Sequence, residues 1–462
     1  MSRVAPHVVV WGSLVALTTY LVRGIVRNDR NVALFEDWLL VPSLAGRQPL
    51  SLPWLWAQNN EHRSPLARLA LFVVLRLSHD FRSAMALNVI VLVLATVVLV
   101  VALARRRGRL LVADAFIPLV LLHLGHSENL YWPFEHTIVQ PILPLAVFLA
   151  VIACAKFPLT PRMAIVLSVS ATLLPLGGGT TLPVAPLAVI ALVLIGRDRS
   201  VGTVARRILW SGAAVTSAVL AFYFIGWIRP TWPPPNPGIA PSLTTFGRAI
   251  ALGWGPATKT LWNIAVPATV CLLGVTAVFL GKALGRPDAG TSRSTDVIFG
   301  THRRAMALTC YMAGTVGVAF AFAVGRTGWV ATAGYPGRYA LTTAPVLVGA
   351  YVCLDQFARG KLRVTLLATM CLVAVLLLPG NARAGRNWQR FADDGSRSLI
   401  ADIDQGRTVD AIVDRNADRL LPWSHLQMWW GIETLRTAGV RPFDRVPAPT
   451  GPPQINQGVQ KP

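Results

Sequence analysis

Apolar residues run along this chain in long blocks. Eleven of them, at about 4–22, 84–104, 110–126, 136–155, 163–179, 180–196, 208–228, 262–281, 305–325, 339–354 and 362–379, are 16 to 21 residues long. That is close to the ~20 residues a helix needs to cross a bilayer core. The pattern predicts an all-α protein, a polytopic transmembrane helical bundle of about eleven spans. Two stretches depart from it. Residues 66–83 are apolar but carry Arg68, Arg76, Asp80 and Arg82, which suits a helix lying on the membrane surface. Beyond residue 379, Leu399, Ile400 and Ile403, then Val409, Ile412 and Val413, then Leu426, Trp429, Ile432 and Leu435 recur at helical spacing, predicting three short amphipathic helices. The chain therefore divides into a transmembrane domain at 1–379 with a first external loop at 23–83, a small helical tail at 380–445, and a Pro/Gln/Gly-rich end at 446–462 that reads as disordered.

Composition agrees: 53% of residues are hydrophobic and 14% charged, as in integral membrane proteins. The first run has no small-residue cleavage site before Arg23, Arg27 and Arg30 and reads as a retained anchor. With the N-terminus inside and alternating spans, cytoplasmic loops receive Arg105, Arg106, Arg107 and Arg109, Lys156 and Arg162, Arg197, Arg199, Arg206 and Arg207, Lys282, Arg286, Arg293, Arg303 and Arg304, and Arg359, Lys361 and Arg363. The short external loops hold only Arg326 and Arg338. This bias fixes the expected orientation, with the tail extracytoplasmic. Arg23, Arg27 and Arg30 run against it. The net charge of +22 is thus assigned to membrane orientation, with no nucleic-acid partner indicated. Cys154, Cys271, Cys310, Cys353 and Cys371 sit within or beside apolar runs with no metal-ligand spacing, and read as packing residues.

Four of the five glutamates, Glu36, Glu61, Glu128 and Glu135, fall in two gaps that this topology places outside. The same face receives Asp37, Asn59 to Arg63, His126, His136, the Gly177–Gly179 break, the Trp/Pro-rich loop 228–261 with Trp227, Trp232 and Trp254, and Arg326, Tyr335, Arg338 and Tyr339. A carboxylate can take the proton of an acceptor hydroxyl, a guanidinium can hold a phosphate, and aromatic rings can stack on a sugar. Asn60, Glu61, His62 and Arg63 follow Trp54 and Trp56 and are candidates for substrate binding, although Ser64 with Pro65 also makes a helix start. Glu128, Glu135 and His136 are further candidates, and a His/Glu group there could bind a divalent metal ion. The tryptophans of loop 228–261 and its run Pro233–Pro235 suggest a lid.

The acidic pair in Phe35-Glu36-Asp37-Trp38, the long first external loop with its surface helix, the second acidic loop and the external Arg338-Tyr339 pair together resemble the GT-C superfamily of polytopic glycosyltransferases, and bacterial members in particular. The resemblance covers most of residues 1–379. It implies transfer of a sugar from a polyprenyl-phosphate donor to a glycan, lipid or protein acceptor at the outer face of a bacterial cytoplasmic (inner) membrane. It also implies a catalytic base at Asp37, or its neighbour Glu36, and a carrier-phosphate contact at Arg338. The competing expectation is a transporter or flippase of a lipid-linked or polar substrate. Transporters place ionisable groups deep in their spans, and here only Asp114 falls within an apolar run.

Overall fold

The computed structural model describes residues 4–28, 31–154, 159–198, 200–231, 233–285, 295–449 and 451. Arg30, Lys156, Arg199, Trp232, Arg286, Arg293 and the segment 452–462 lie outside them. Every regular element among the described residues is helical. The longer helices are α1 (Val4–Asn28), α2 (Pro65–Ser78), α3 (Phe81–Arg107), α4 (Ile142–Cys154), α5 (Pro161–Leu176), α6 (Val184–Gly196), α7 (Thr203–Phe224), α8 (Ile239–Leu252), α9 (Trp262–Leu284), α10 (Thr295–Ala333), α11 (Tyr339–Phe357), α12 (Gly360–Asp404), α13 (Val409–Leu420) and α14 (His425–Thr437).

Eight helical stretches among the described residues are long and apolar enough to cross a membrane: Val4–Arg27, Phe81–Arg107, Pro133–Cys154, Thr203–Phe224, Trp262–Leu284, Thr301–Ala333, Tyr339–Phe357 and Gly360–Asp404. The remaining three apolar runs have other forms. Those at 163–179 and 180–196 make the shorter helices α5 and α6, joined at the three glycines. The run at 110–126 is broken into pieces of three to six residues. Asp114 caps the first by accepting the Leu111 N–H at 2.7 Å, and the second ends where His123 turns extended.

One end of the bundle is tied by ion pairs. Asp355 accepts from Arg106 at 3.0 Å and Arg363 at 2.7 Å, while Asp114 accepts from Arg107 at 2.7 Å and from the Tyr351 hydroxyl at 2.8 Å. Both carboxylates are buried. A buried charge is tolerated when paired and hydrogen-bonded, and these pairs bind α3, α11 and α12 together.

The opposite end carries a second apolar core. Val32, Leu34, Trp38, Leu40, Val41 and Leu44 of the first loop pack with Leu71, Leu75 and Phe81, and with Leu399, Ile412, Val413, Leu420, Trp429, Ile432 and Phe443 of the tail. The tail therefore forms a joint layer with the first loop. The boundary expected at 379/380 falls inside α12, which continues without interruption past Pro379 to Asp404. The first of the three expected amphipathic helices is the far end of this helix; the other two are α13 and α14.

Two further contacts dock α12 against the rest. Asn381 donates to the Trp254 carbonyl at 2.9 Å and accepts the Ala257 N–H at 2.9 Å. Gly385 leaves no room for a side chain, since a Cβ there would collide with the Leu124 carbonyl and approach the Ser127 hydroxyl. Alanine normally favours a helix over glycine by ~1 kcal/mol. Gly385→Ala is nevertheless expected to destabilise by ~1–3 kcal/mol through overpacking. Gly12→Ala, in open space on α1, is expected to be neutral or slightly stabilising. Unfolding midpoints in one detergent test the contrast.

Candidate functional site

The acidic segment Phe35–Leu40 folds as a short 3₁₀ turn. Asp37 sits at its third position and turns inward. Its Oδ2 accepts the Leu34 N–H at 3.2 Å, and its Oδ1 accepts the Phe134 N–H, from the second acidic loop, at 2.8 Å. The residue is fully buried and lies off the wall of the large cavity beside it. Asp37, favoured as base from the sequence, is thus placed off the cavity wall, with both carboxylate oxygens joining two loops.

Glu36 points the other way and lines the cavity, whose volume is about 760 Å³. Neighbouring side chains on a 3₁₀ turn point about 120° apart; this turn opens on Phe35 in a left-handed conformation, φ +51°, unusual for a bulky residue. An aromatic box holds it there: Trp132, Trp423, Phe391 and Trp388 have ring centroids 5.1, 5.8, 6.2 and 6.3 Å from that of Phe35. Glu36 keeps one buried oxygen, Oε2, without a hydrogen-bond partner. Burial raises its pKa above the ordinary 4.5, and the nearby Arg338 charge only partly offsets this.

Arg338 is the electrostatic centre of the site. Its backbone N–H donates to Glu128 Oε2 at 2.9 Å and its Nη1 to Glu128 Oε1 at 3.0 Å, while its Nε lies 3.7 Å from Glu135 Oε1. Trp132, Tyr339 and Trp329 surround the guanidinium with centroids at 5.2, 5.4 and 5.9 Å. Burial works against its charge, but Tyr339, Glu135, Glu128 and Glu36 hold it above the ordinary value. Arg338, Tyr339 and Glu135 line the cavity; Glu128 lies behind, off the wall. His136 also lies off the wall, buried, with Nδ1 2.7 Å from Asn88 Oδ1. It braces the bundle, not the cavity.

The polar string at 59–63 forms a tight turn. Asn59 and His62 exchange backbone hydrogen bonds at 2.8 and 2.9 Å, with Asn60 left-handed between them. Asn59, Asn60, Glu61 and His62 line the cavity. Glu61 pairs with Arg326, which lines it too, and lies 3.4 Å from His62 Nε2. Loss of hydration lowers the His62 pKa below its ordinary value. Arg63 turns away: its guanidinium lies 5.8 Å over Trp56 and its N–H donates to the Tyr223 hydroxyl at 3.0 Å. Ser64 and Pro65 do begin a helix, although the Ser64 hydroxyl makes no capping bond.

The glycine break makes this approach possible. A Cβ on Gly178 or Gly179 would strike Ser64 or His62. From the loop after α7, Trp227, Pro230 and Pro233–Asn236 close one side of the cavity, and Asn236 Nδ2 donates to the Val324 carbonyl at 2.8 Å. The later part of the expected lid, 239–252, is the regular helix α8. Gln58, Arg68, Thr180 and Arg229 also line the cavity and were missed from sequence. Arg68 read as a surface-helix charge, and Arg229 was hidden by the length of its loop.

The acidic residues do not gather as a metal site. Glu128 and Glu135 are drawn onto Arg338 and Glu61 onto Arg326, and among the described residues no three His, Cys, Asp or Glu side chains converge as metal ligands. No reaction step is therefore assigned to a metal. Comparison with family models, curated proteins and solved structures finds no match for this chain.

Proposed function

We propose that this protein is a membrane glycosyltransferase of GT-C type, moving a sugar from a polyprenyl-phosphate donor to an acceptor hydroxyl at the non-cytoplasmic face, with Glu36 as the base. The observation that carries the reading is convergence: Glu36, Glu61, His62, Glu135, Arg326 and Arg338 come from four separate parts of the sequence onto the wall of one cavity. Its volume is in the range of small-molecule sites. Glu36 receives the acceptor proton as the acceptor oxygen bonds to the anomeric carbon, and the bond from that carbon to the phosphate oxygen breaks to leave polyprenyl phosphate. Arg338 keeps one guanidinium nitrogen, Nη2, outside its hydrogen bonds to Glu128, and with Arg229 and Arg68 on the same wall it supplies the positive charge for the departing phosphate. Trp54 and Trp227 offer faces for sugar or isoprenoid.

Asp114 argues against the transporter reading, because it is fully paired with Arg107, Tyr351 and a backbone N–H. The test is transfer of labelled sugar from a panel of polyprenyl-phosphate donors in membrane vesicles. Transfer supports the proposal. No transfer from any donor, together with movement of lipid-linked substrate across the vesicle membrane, overturns it.

The pH dependence follows from Glu36. A base must be ionised to act, and burial raises its pKa above 4.5. The acidic limb of kcat/KM is therefore expected above the ordinary carboxylate range, with activity rising as pH rises through it. A pH–rate profile on vesicles measures this, and an acidic limb at 4.5 or below removes Glu36 as the titrating group.

A further inference from the structure

A second cleft, of about 750 Å³, lies apart from the cavity, where the end of α1, the turn between α2 and α3, and the end of the tail meet. Asn31 ties these segments: its Nδ2 donates to the His79 carbonyl at 3.1 Å and the Arg441 carbonyl at 3.2 Å, and its Oδ1 accepts the Phe81 N–H at 2.9 Å. Four arginines line the cleft, Arg27, Arg82, Arg441 and Arg445, against a single lining carboxylate, Asp80. Asp80 is taken by Arg82, with Nε to Oδ2 at 2.9 Å, and Arg445 pairs with Asp404 at 2.7 Å. Arg27 and Arg441 have no carboxylate partner among the described residues.

The height of the cleft along the bundle decides what suits it. Arg27 ends one membrane-length helical stretch and Phe81 begins the next, so the cleft lies at the level where hydrocarbon gives way to headgroups. Beside the arginines, Val26 is 73% exposed, and Leu77, next to the lining residue Ser78, is 79% exposed. A free anion uses only the guanidinium groups, whereas a phospholipid uses both those groups and the apolar rim.

The geometry points to a binding site for one anionic phospholipid, its phosphate between Arg27 and Arg441 and its chains along Val26 and Leu77. This gives the basic end of α1, contrary to the charge bias of the other loops, a role in the folded protein. It also gives the tail a lipid-mediated attachment to the first span. The site is independent of the proposed transfer reaction.

The full chain in bilayer discs of mixed phosphatidylglycerol and phosphatidylcholine, released into native mass spectrometry, tests this by the ratio of the two lipids retained. Arg27→Gln with Arg441→Gln is expected to lower the preference for phosphatidylglycerol by roughly 5- to 30-fold, the scale set by one to two cations at an anionic lipid surface. Arg23→Gln, on the same helix but outside the cleft, is expected to change nothing. Val26→Asn is expected to reduce retention of phosphatidylglycerol, and inorganic phosphate to leave it in place. An unchanged ratio in the double variant, or an equal loss in Arg23→Gln, overturns the site. Displacement by inorganic phosphate with no effect of Val26→Asn overturns the lipid as its occupant. All four side chains are surface groups, and unfolding midpoints confirm that the variants are folded.

Discussion

Replacing Glu36 by glutamine is expected to lower sugar transfer by ~10²- to 10⁴-fold, the range supplied by a positioned general base, while leaving the protein folded. The two acids of the Glu36-Asp37 pair are chain neighbours that face different surroundings, and the comparison between them is therefore sharp. Glu36 faces the cavity with one oxygen unpartnered; its amide keeps the shape and loses the proton acceptor. Asp37 is closed off by the Leu34 and Phe134 N–H groups. In Asp37→Asn one oxygen becomes an NH₂ group set against an N–H donor, leaving a buried donor unpaired at a cost of ~1–3 kcal/mol. That variant is expected to lose yield and thermal stability while each folded molecule retains most of its transfer rate. The measurement is transfer per folded molecule, with folded protein quantified by size-exclusion chromatography. Folded Asp37→Asn devoid of activity beside active Glu36→Gln would return the base to Asp37.

The helical class was legible in the sequence because uncharged blocks of bilayer length leave the backbone few other ways to satisfy its N–H and C=O groups. The run at 110–126 was misleading for a local reason. Its length and apolarity fit a span, but the Asp114 cap and the turn at His123 divide it, and these act through hydrogen bonds that a hydropathy pattern does not contain. The sequence sets a boundary at 379/380 because composition changes there, whereas the helix runs on through it. The tail's apolar stripes were visible, but their partners, Val32 to Leu44, are more than 350 residues away in sequence. At the site, the residue types were legible and their orientations were not. The sequence placed Glu36, Glu61, Glu135 and Arg338 at one end of the bundle. That Asp37, Arg63, Glu128 and His136 point away from the cavity depends on Phe134, Trp56, Arg338 and Asn88 respectively, contacts made only after folding.

Arg338→Gln is expected to produce the largest loss of stability of any single change in the site. Three carboxylates, Glu36, Glu128 and Glu135, depend on this one guanidinium, and its removal leaves them close together and poorly solvated. Breaking a fully buried ion pair from one side costs ~3–5 kcal/mol; the Arg338–Glu128 pair is part-buried, which puts the expected cost at the low end, ~3 kcal/mol, and a neutral glutamine restores at most one hydrogen bond. The loss is expected to be greatest at alkaline pH and to shrink as pH falls, because the stranded carboxylates can take up protons in the folded state and so remove the charge that lacks a partner. Adding Glu128→Gln to Arg338→Gln is expected to recover part of the stability, since the second change removes one of the stranded charges; the coupling is read from a double-mutant cycle. The chemistry is expected to respond in the same direction. Arg338 lowers the Glu36 pKa against the effect of burial, so without it the acidic limb of the rate profile moves to higher pH. Arg338→Lys separates charge from shape: it retains a cation but loses the planar group that spans Glu128 and lies among Trp132, Trp329 and Tyr339, and it is expected to keep the acidic limb in place while recovering only part of the stability. Unfolding midpoints across a pH series, with rate profiles on the same preparations, decide the matter. An Arg338→Gln protein as stable as the parent at alkaline pH, with an unmoved acidic limb, would show that the three carboxylates do not rely on this residue.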